Sequence, residues 1–131
     1  MPGNKHYTLS RATPIAIPYV FDGGGSAITG NPYGFLPIPF AGYIESASLV
    51  ADGAPTLVDI DVQKCALGDF PSGLASIVGS NPLTLEGVEQ VKDSLLTGWT
   101  KDFVRDTVFK FIVLHTDTVT LIAVVLNVVR L

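Results

Sequence analysis

Two acidic residues, Asp59 and Asp61, are the first candidates for chemistry because they lie two positions apart in an apolar run. Side chains two apart on a β-strand point to the same side, so this pair of carboxylates could bind Ca²⁺ or act in a glycosidase. However, no Asp-x-Asp-x-Asp-Gly calcium loop accompanies them. The pattern therefore favours a solvated outer face of a strand, with no metal site.

Nucleophilic catalysis would depend on His6, His115 or the one cysteine, Cys65. A serine or cysteine nucleophile needs a histidine beside it, and no Gly-x-Ser-x-Gly element is present. His115 ends an apolar run next to a turn, which is typical of a hydrogen-bonded strand end. Cys65 is interpreted as a small buried residue, and a single cysteine excludes an intrachain disulfide. We therefore predict no catalytic residues and a protein that is not an enzyme.

The segment Asp22-Gly23-Gly24-Gly25-Ser26 is glycine-rich enough to suggest a phosphate-binding loop. Such loops aim backbone N–H groups at phosphate oxygens. The segment lacks the Gly-Lys-Ser/Thr ending, and no helical pattern follows it. We interpret Gly23, Gly24 and Gly25 as a sharp structural turn with positive φ, and we expect no cofactor.

The aromatic residues offer a different kind of function, which is contact with a partner. Trp99, the only tryptophan, could stack on a sugar ring, but packing over the edge of the domain is favoured. Tyr33 and Phe35 belong to an aromatic group in the N-terminal third. Aromatic side chains often anchor interfaces, so this group could form a contact surface, with ordinary core packing as the alternative.

Charge is scarce in this chain. Charged residues make up 15% of the 131 residues, and the net charge is −4, whereas typical domains have roughly 25% charged residues. A weakly charged surface is expected where part of it is buried against another protein. The lysines and arginines are scattered, so we do not expect nucleic acid as a partner.

Turn residues divide the chain into short apolar runs, and no amphipathic helix is apparent. We predict strands near residues 15–21, 32–39, 43–51, 57–64, 107–115 and 119–130. The clearest is 57–64, where Val58, Ile60 and Val62 share one face. The length fits one domain. We therefore predict an N-terminal arm at residues 1–13 and, at 14–131, a single-domain antiparallel β-sandwich of jelly-roll type, with immunoglobulin-like connectivity as the alternative.

The two C-terminal strands are predicted to form a tight hairpin at Thr116-Asp117. The run 119–130 is apolar on both faces, is too short to cross a bilayer as a helix, and is β-branched, so no membrane is expected. A strand of this kind must be covered on both faces, and a two-layer sandwich covers only one. The cover of the other face could be a loop or a neighbouring subunit, and the low charge content favours the subunit. The suspected interface comprises Tyr33, Phe35, Val124, Val125, Leu126 and Val128.

Several short strings occur in series over residues 19–129: Phe21-Asp22-Gly23-Gly24-Gly25-Ser26-Ala27-Ile28-Thr29-Gly30, Leu36-Pro37-Ile38-Pro39-Phe40-Ala41-Gly42, Val58-Asp59-Ile60-Asp61-Val62, Phe70-Pro71, Pro82-Leu83-Thr84-Leu85, Leu96-Thr97-Gly98-Trp99-Thr100 and Val119-Thr120-Leu121. This series resembles segments of structural proteins of tailed bacteriophages. The resemblance implies a virion component, either part of a tail-fibre-like protein or a small protein on its own. It implies no catalytic residues.

With this length, the resemblance implies a capsid decoration (cement) protein that binds the outer head shell as an oligomer and stabilises it. Its partners would be two further copies in a homotrimer and the major capsid protein of the same virus. Its location would be the virion, assembled in the host cytoplasm. The alternative is a tail-fibre or receptor-binding module that recognises a host surface glycan, in which Trp99 would be the stacking residue.

Overall fold

Two antiparallel sheets face each other in the computed structural model, which describes residues 13–55 and 57–131. The strands are β1 Thr13–Asp22, β2 Tyr33–Ile38, β3 Gly42–Ala51, β4 Val58–Ala66, β5 Ala75–Ser76, β6 Leu83–Leu85, β7 Gln90–Asp93, β8 Asp102–Phe103, β9 Thr107–His115 and β10 Leu121–Arg130. A 3₁₀ turn, Leu67–Asp69, follows β4. The predicted all-β sandwich is confirmed. The predicted arm lies outside the described residues, except for Thr13, which begins β1.

The strand order identifies the connectivity. One sheet has the order β1-β10-β3-β7, with β8 also paired to β3, and the other has β2-β9-β4-β5, with β6 also paired to β4. The short strands β5 and β6 share one edge position, and β7 and β8 share another, so each sheet has four strand positions. The chain alternates between the sheets from β1 to β4, whereas an immunoglobulin domain keeps its first two strands in one sheet. The order is that of a jelly roll.

The predicted hairpin between the last two strands is wrong. β9 pairs with β2 and β4, whereas β10 pairs with β1 and β3 in the opposite sheet. The segment between them therefore crosses from one sheet to the other and buries Val119, which is 3% exposed. A short polar segment can either close a hairpin or connect two sheets. The residues of this segment do not show which of the two connections it makes. The two strands separate because each can then take a central position in its own sheet and bury its apolar side chains there.

The core lies between the sheets and follows the predicted alternation. Val58, Ile60 and Val62 of β4 are each 0% exposed. The inward face of the neighbouring strand β9 has two phenylalanines and a valine at the same exposure: Phe109, Phe111 and Val113. Alternation thus identified the inward face of β4, whereas β9 is apolar on both faces and the structure shows which of them is inward.

β10 contributes its even-numbered side chains to this core. Val124 and Leu126 are 0% exposed and Val128 is 1% exposed, all within the core of this chain. Assigning Val124, Leu126 and Val128 to an interface is therefore wrong, because their own opposite sheet already covers them. Val125, which points the other way, is half-buried.

The glycine-rich segment forms the predicted turn after β1. Gly24 and Gly25 have φ values of 66° and 88°, a region that side-chain-bearing residues rarely adopt. Gly23 is needed for a different reason, since a Cβ there would lie 2.1 Å from the Ser26 carbonyl oxygen. The Gly24 N–H donates to the Asp22 carboxylate at 2.8 Å, which closes the turn.

Candidate docking surfaces

The outer surface of β1, β10 and β3 presents nine uncharged side chains in three rows, which we call the neutral face. Residues directly opposite each other on paired antiparallel strands share a face. Because Val124 points into the core, its neighbours in sequence point outward. The rows read Val20–Ala123–Val50, Pro18–Val125–Ser48 and Ala16–Asn127–Ser46.

The neutral face is apolar, and its few polar groups are largely satisfied. Val20 and Val50 are 54% and 45% exposed. The Asn127 Nδ2 group donates to Ser46 Oγ at 3.0 Å, so these two polar side chains pair with each other. Charges border it on several sides: Lys92 of β7 lies opposite Ser48, Asp22 lies opposite Leu121 in the next row, and the exposed Glu45 adjoins Ser46. From strand spacing, the face measures about 14 Å by 20 Å, on the order of 300 Å².

The strands β1 and β2, one in each sheet, contain prolines. Among the strands that the structure describes, β1 pairs with β10 alone and β2 with β9 alone, so both are edge strands there. Pro14 and Pro18 of β1 and Pro37 of β2 have no N–H to offer another strand. These prolines discourage the addition of a further strand from another chain. Contact with a partner is therefore favoured through the sheet faces.

A second exposed surface lies on the opposite side of the sandwich, on β2 and β9. It consists of Tyr33, Phe35, Phe70 and Lys110, and we call it the aromatic patch. The three rings are 58%, 40% and 37% exposed, in that order. Lys110 lies opposite Phe35 in the strand register. Tyr33 and Phe35 are thus on the surface rather than in the core, and an interface there stays a prediction.

Within the aromatic patch, the rings hold one another in place. The ring centres of Tyr33 and Phe35 are 5.5 Å apart at an interplanar angle of 64°. Phe70 meets Phe35 edge to face at 4.8 Å, a favourable geometry for aromatic pairs. The Lys110 ammonium lies 4.4 Å from the Tyr33 ring centre and 5.7 Å from that of Phe35.

The carboxylates of Asp59 and Asp61 share the outer face of β4, as predicted, but they are not solvated. Asp61 is 8% exposed, and its two oxygens accept hydrogen bonds from Ser76 Oγ at 2.6 Å and Gln63 Nε2 at 3.2 Å. The neighbouring edge strand β5 supplies Ser76, a partner that alternation within β4 does not reveal. Both oxygens of Asp61 thus have partners within the chain.

Asp59 has a partner at each oxygen as well. Thr84 Oγ1 donates to Asp59 Oδ1 at 2.6 Å, and His115 Nδ1 lies 3.0 Å from Asp59 Oδ2. In a catalytic triad the hydroxyl contacts the histidine and the histidine contacts the carboxylate. Here the hydroxyl and the histidine both contact the carboxylate, so no such relay forms. His115 is the hydrogen-bonded strand-end residue that the sequence predicted.

A cleft of about 250 Å³ opens at the end of β4, beside β8 and β9. Lys64 lines it and donates a hydrogen bond to the backbone carbonyl of Asp102. Burial lowers the pKa of the Lys64 amine. Burial also raises the pKa of the neighbouring Cys65 thiol, which is 8% exposed as predicted. A thiol kept protonated in this way is a poor nucleophile.

Trp99 packs against the domain and is 7% exposed. Its Nε1–H donates to the Asn81 carbonyl oxygen at 2.8 Å, which satisfies the one polar group of the indole. The predicted packing is confirmed, and this ring is not free to stack on a sugar. Across the described ranges, no group of three or more metal-binding side chains occurs. No helix there is long and apolar enough to span a membrane.

Comparison with known proteins identifies no family. Neither protein-family models nor curated proteins match the chain. Similar solved structures include a serine protease of Aeromonas sobria (TM-score 0.35, 9% identity, covering 91% of this chain and 27% of that one). They also include the structure of infectious bursal disease virus Gx strain (TM-score 0.36, 9% identity, 92% and 35%). A third is the VP2 subviral particle of infectious bursal disease virus (TM-score 0.30, 10% identity, 92% and 42%).

The chain spans less than half the length of each of these structures. TM-scores this low carry no argument about function, either for an enzyme or for a viral role. The arrangement of this chain's own residues therefore has to indicate what the protein does.

Proposed function

We propose that this chain is a structural subunit of a virus particle, specifically a capsid decoration protein of a tailed bacteriophage that docks on the outer head shell and stabilises it. The neutral face supports this proposal most directly. It is a flat outer sheet surface of nine uncharged side chains, with Val125 at its centre. The sequence resemblance to phage structural proteins supports the same class.

The neutral face suits docking because little has to be desolvated there. Burying a charge without a partner costs several kcal/mol. This face contains no charge, and the amide of Asn127 already donates to Ser46. Apolar area removed from water stabilises a contact by about 25 cal/mol per Å². A partner surface of similar character would therefore associate without a large polar cost.

The size of the neutral face suits a repeated contact better than a single one. Stable complexes bury about 800 Å² on each partner, and the neutral face supplies on the order of 300 Å². One copy alone would therefore bind weakly. A homotrimer that presents three such faces to a regular shell would gain affinity from the high effective concentration of its second and third contacts.

The test is to add the purified protein to particles that lack it and to image the result by electron cryomicroscopy. We expect density on the outer head shell, repeated with the symmetry of the capsid lattice. Copies confined to the tail, in a number that matches the tail's rotational symmetry, would contradict the proposal in favour of a tail module.

A pair of variants links binding to the neutral face. Val125→Asp introduces a carboxylate at its centre, and Ile112→Asp introduces the same group on the opposite outer face, where Ile112 is also half-buried. We expect Val125→Asp to weaken particle binding by about 100-fold, since about 3 kcal/mol is lost. Ile112→Asp places its carboxylate opposite Asp61, so its fold is checked first by circular dichroism. The folded variant should bind as the wild type does. The reverse pattern would place the docking surface on the other sheet.

A further inference from the structure

We propose that the aromatic patch binds a saccharide that carries a carboxylate, such as a uronic acid or a sialic acid unit. This site lies on the outer surface of β2 and β9, whereas the neutral face lies on the other sheet. The outer surfaces of two stacked sheets point in opposite directions. The aromatic patch therefore stays open to solvent when the neutral face is docked, and it differs from the Trp99 site considered from the sequence.

The rings of the patch supply the stacking surface. Tyr33 and Phe35 lie two residues apart on β2, so their side chains project from the same side of the strand. Both are substantially exposed, and Phe70 holds Phe35 edge to face. The face of an aromatic ring carries partial negative charge. The weakly positive C–H groups of a pyranose ring are attracted to such a face, and the apolar contact also removes area from water.

Lys110 supplies the charge that selects an acidic sugar. Among the described residues, Lys110 has no carboxylate within ion-pair distance; a contact at that distance joins His115 and Asp59. The Lys110 ammonium therefore has no carboxylate partner there, although it lies 4.4 Å from the Tyr33 ring centre. The ammonium lies over the rings, so a sugar stacked on the ring surface that stays exposed would contact the ammonium directly. A carboxylate on that sugar would complete a charge-assisted hydrogen bond.

The surroundings of Lys110 orient such a ligand. Gln63 of β4 lies opposite Lys110, and Asp61 is its diagonal neighbour on that strand. Both oxygens of Asp61 already accept hydrogen bonds within the chain. The negative charge of Asp61 disfavours an acidic group of the ligand above β4. The aromatic rings favour a position of the sugar above β2. The ligand carboxylate would approach Lys110 from the β2 side.

A saccharide fits this patch better than a protein surface does. Lysine is depleted in the buried centre of protein interfaces because its desolvation is costly. Here a lysine lies between the rings, where a protein partner would have to desolvate it. A single cation among aromatic rings also differs from the cationic clusters that bind nucleic acid phosphates. A small acidic ring can pair with the ammonium and leave much of it in water.

The experiment is a titration of the full chain with sialyllactose, a glucuronate disaccharide and lactose, followed by NMR chemical shifts of the backbone amides. We expect at least one acidic saccharide to bind at least about tenfold more tightly than lactose, with shifts centred on β2 and β9. The two acidic ligands distinguish a sialic acid site from a uronic acid site.

Three variants locate the site. Lys110→Gln should abolish the preference for the acidic sugar, and Tyr33→Ala should abolish binding of both sugar types. Lys92→Gln, which removes a lysine beside the neutral face, should change neither. Equal affinity for acidic and neutral sugars, no binding of either acidic sugar, or an unchanged preference in Lys110→Gln would overturn the proposal.

Self-association measured by sedimentation gives a separate readout. If no saccharide binds and Tyr33→Ala instead dissociates an oligomer, the patch is a protein contact and the saccharide site is rejected. That result would leave the docking role of the neutral face untouched, because the Val125→Asp and Ile112→Asp comparison tests it separately.

Discussion

The hydroxyl of Tyr19 occupies the space where a side chain on residue 34 would begin. A Cβ added to Gly34 would lie 1.5 Å from Tyr19 Oη and 2.0 Å from its Cζ. Tyr19 is on β1 and Gly34 is on β2, so this contact joins the two sheets at one side of the sandwich. The Tyr19 ring also stacks on Phe111, with ring centres 5.3 Å apart. The missing side chain at Gly34 lets the two edge strands close over the core.

Gly34→Ala should destabilise the protein, because the new methyl group requires Tyr19 to move from its place on Phe111. Overpacking of this kind typically costs about 1–3 kcal/mol. Urea unfolding measures the change. The matched control is Gly68→Ala, since a Cβ at Gly68 meets nothing within 4 Å. That substitution should leave the free energy of unfolding nearly unchanged.

The same contact predicts that Gly34→Ala and Tyr19→Ala are not additive. Once the Tyr19 ring is removed, the methyl group on residue 34 has space, so its cost should largely disappear. A double-mutant cycle of unfolding free energies checks this. Additive effects would mean that the Tyr19 ring is not the group that excludes a side chain at Gly34.

Val124 and Val125 are neighbours in sequence with opposite expected phenotypes. Val124 is 0% exposed in the core, so Val124→Asp would bury an unpaired carboxylate at a cost of several kcal/mol and should prevent folding. Val125 is half-buried on the outer face, so Val125→Asp should fold. Circular dichroism and thermal melts distinguish the two. A folded Val124→Asp protein would contradict the assignment of the inward face of β10.

Asp52 anchors the segment that crosses between the sheets. Its carboxylate accepts hydrogen bonds from the Thr120 N–H at 2.9 Å, from the Leu121 N–H at 3.2 Å and from the Thr120 hydroxyl. The hydrogen bond from the Thr120 side chain is the main cause that lowers the pKa of Asp52 below its ordinary value of 3.8. Asp52→Ala should therefore lower the urea midpoint of unfolding at neutral pH.

The pH dependence of that effect has a definite sign. A carboxyl group whose folded-state pKa is lowered contributes stability that is fully present above its unfolded pKa. That contribution is lost as the pH falls through the lower, folded-state pKa. The urea midpoints of wild type and Asp52→Ala should thus differ above pH 3.8 and converge in stronger acid. A difference that is independent of pH would show that the Asp52 charge is not involved.

Trp99 provides a fluorescence probe of its own environment. It is the only tryptophan and is 7% exposed, so native emission should be blue-shifted and should move to the red on unfolding. Trp99→Phe removes the donor to the Asn81 carbonyl and should cost roughly 1–3 kcal/mol, measured by circular dichroism in denaturant. Leu95→Ala, at an 80% exposed position in the same loop, should change stability little. Equal effects would argue against the indole hydrogen bond.

Local pattern was sufficient for much of the fold. Alternating apolar residues identified the inward face of β4, since side chains on a strand alternate between its two sides whatever the strand pairs with. The glycine-rich turn was predictable because positive φ is a property of single residues.

The sites that need partners from elsewhere in the chain were not predictable in this way. The carboxylate of Asp61 appeared solvated from its own strand, but the hydroxyl of Ser76, 15 positions away, binds it. Nothing in the sequence indicated that Lys110 and Tyr33 lie next to each other. The backbone hydrogen bonds between paired strands are much the same for most sequences. The sequence of one strand therefore does not determine which strand pairs with it.

The sequence by itself determined that this chain forms strands, where several of its turns lie, and which side of β4 is apolar, because these are properties of neighbouring residues. Only the tertiary structure decided that β9 and β10 lie in opposite sheets, and that Val124 is core while Val125 is surface. It also decided that Tyr19 fills the place of a side chain at Gly34. These outcomes depend on pairing and packing between distant segments, which are selected by the burial of the whole apolar surface at once.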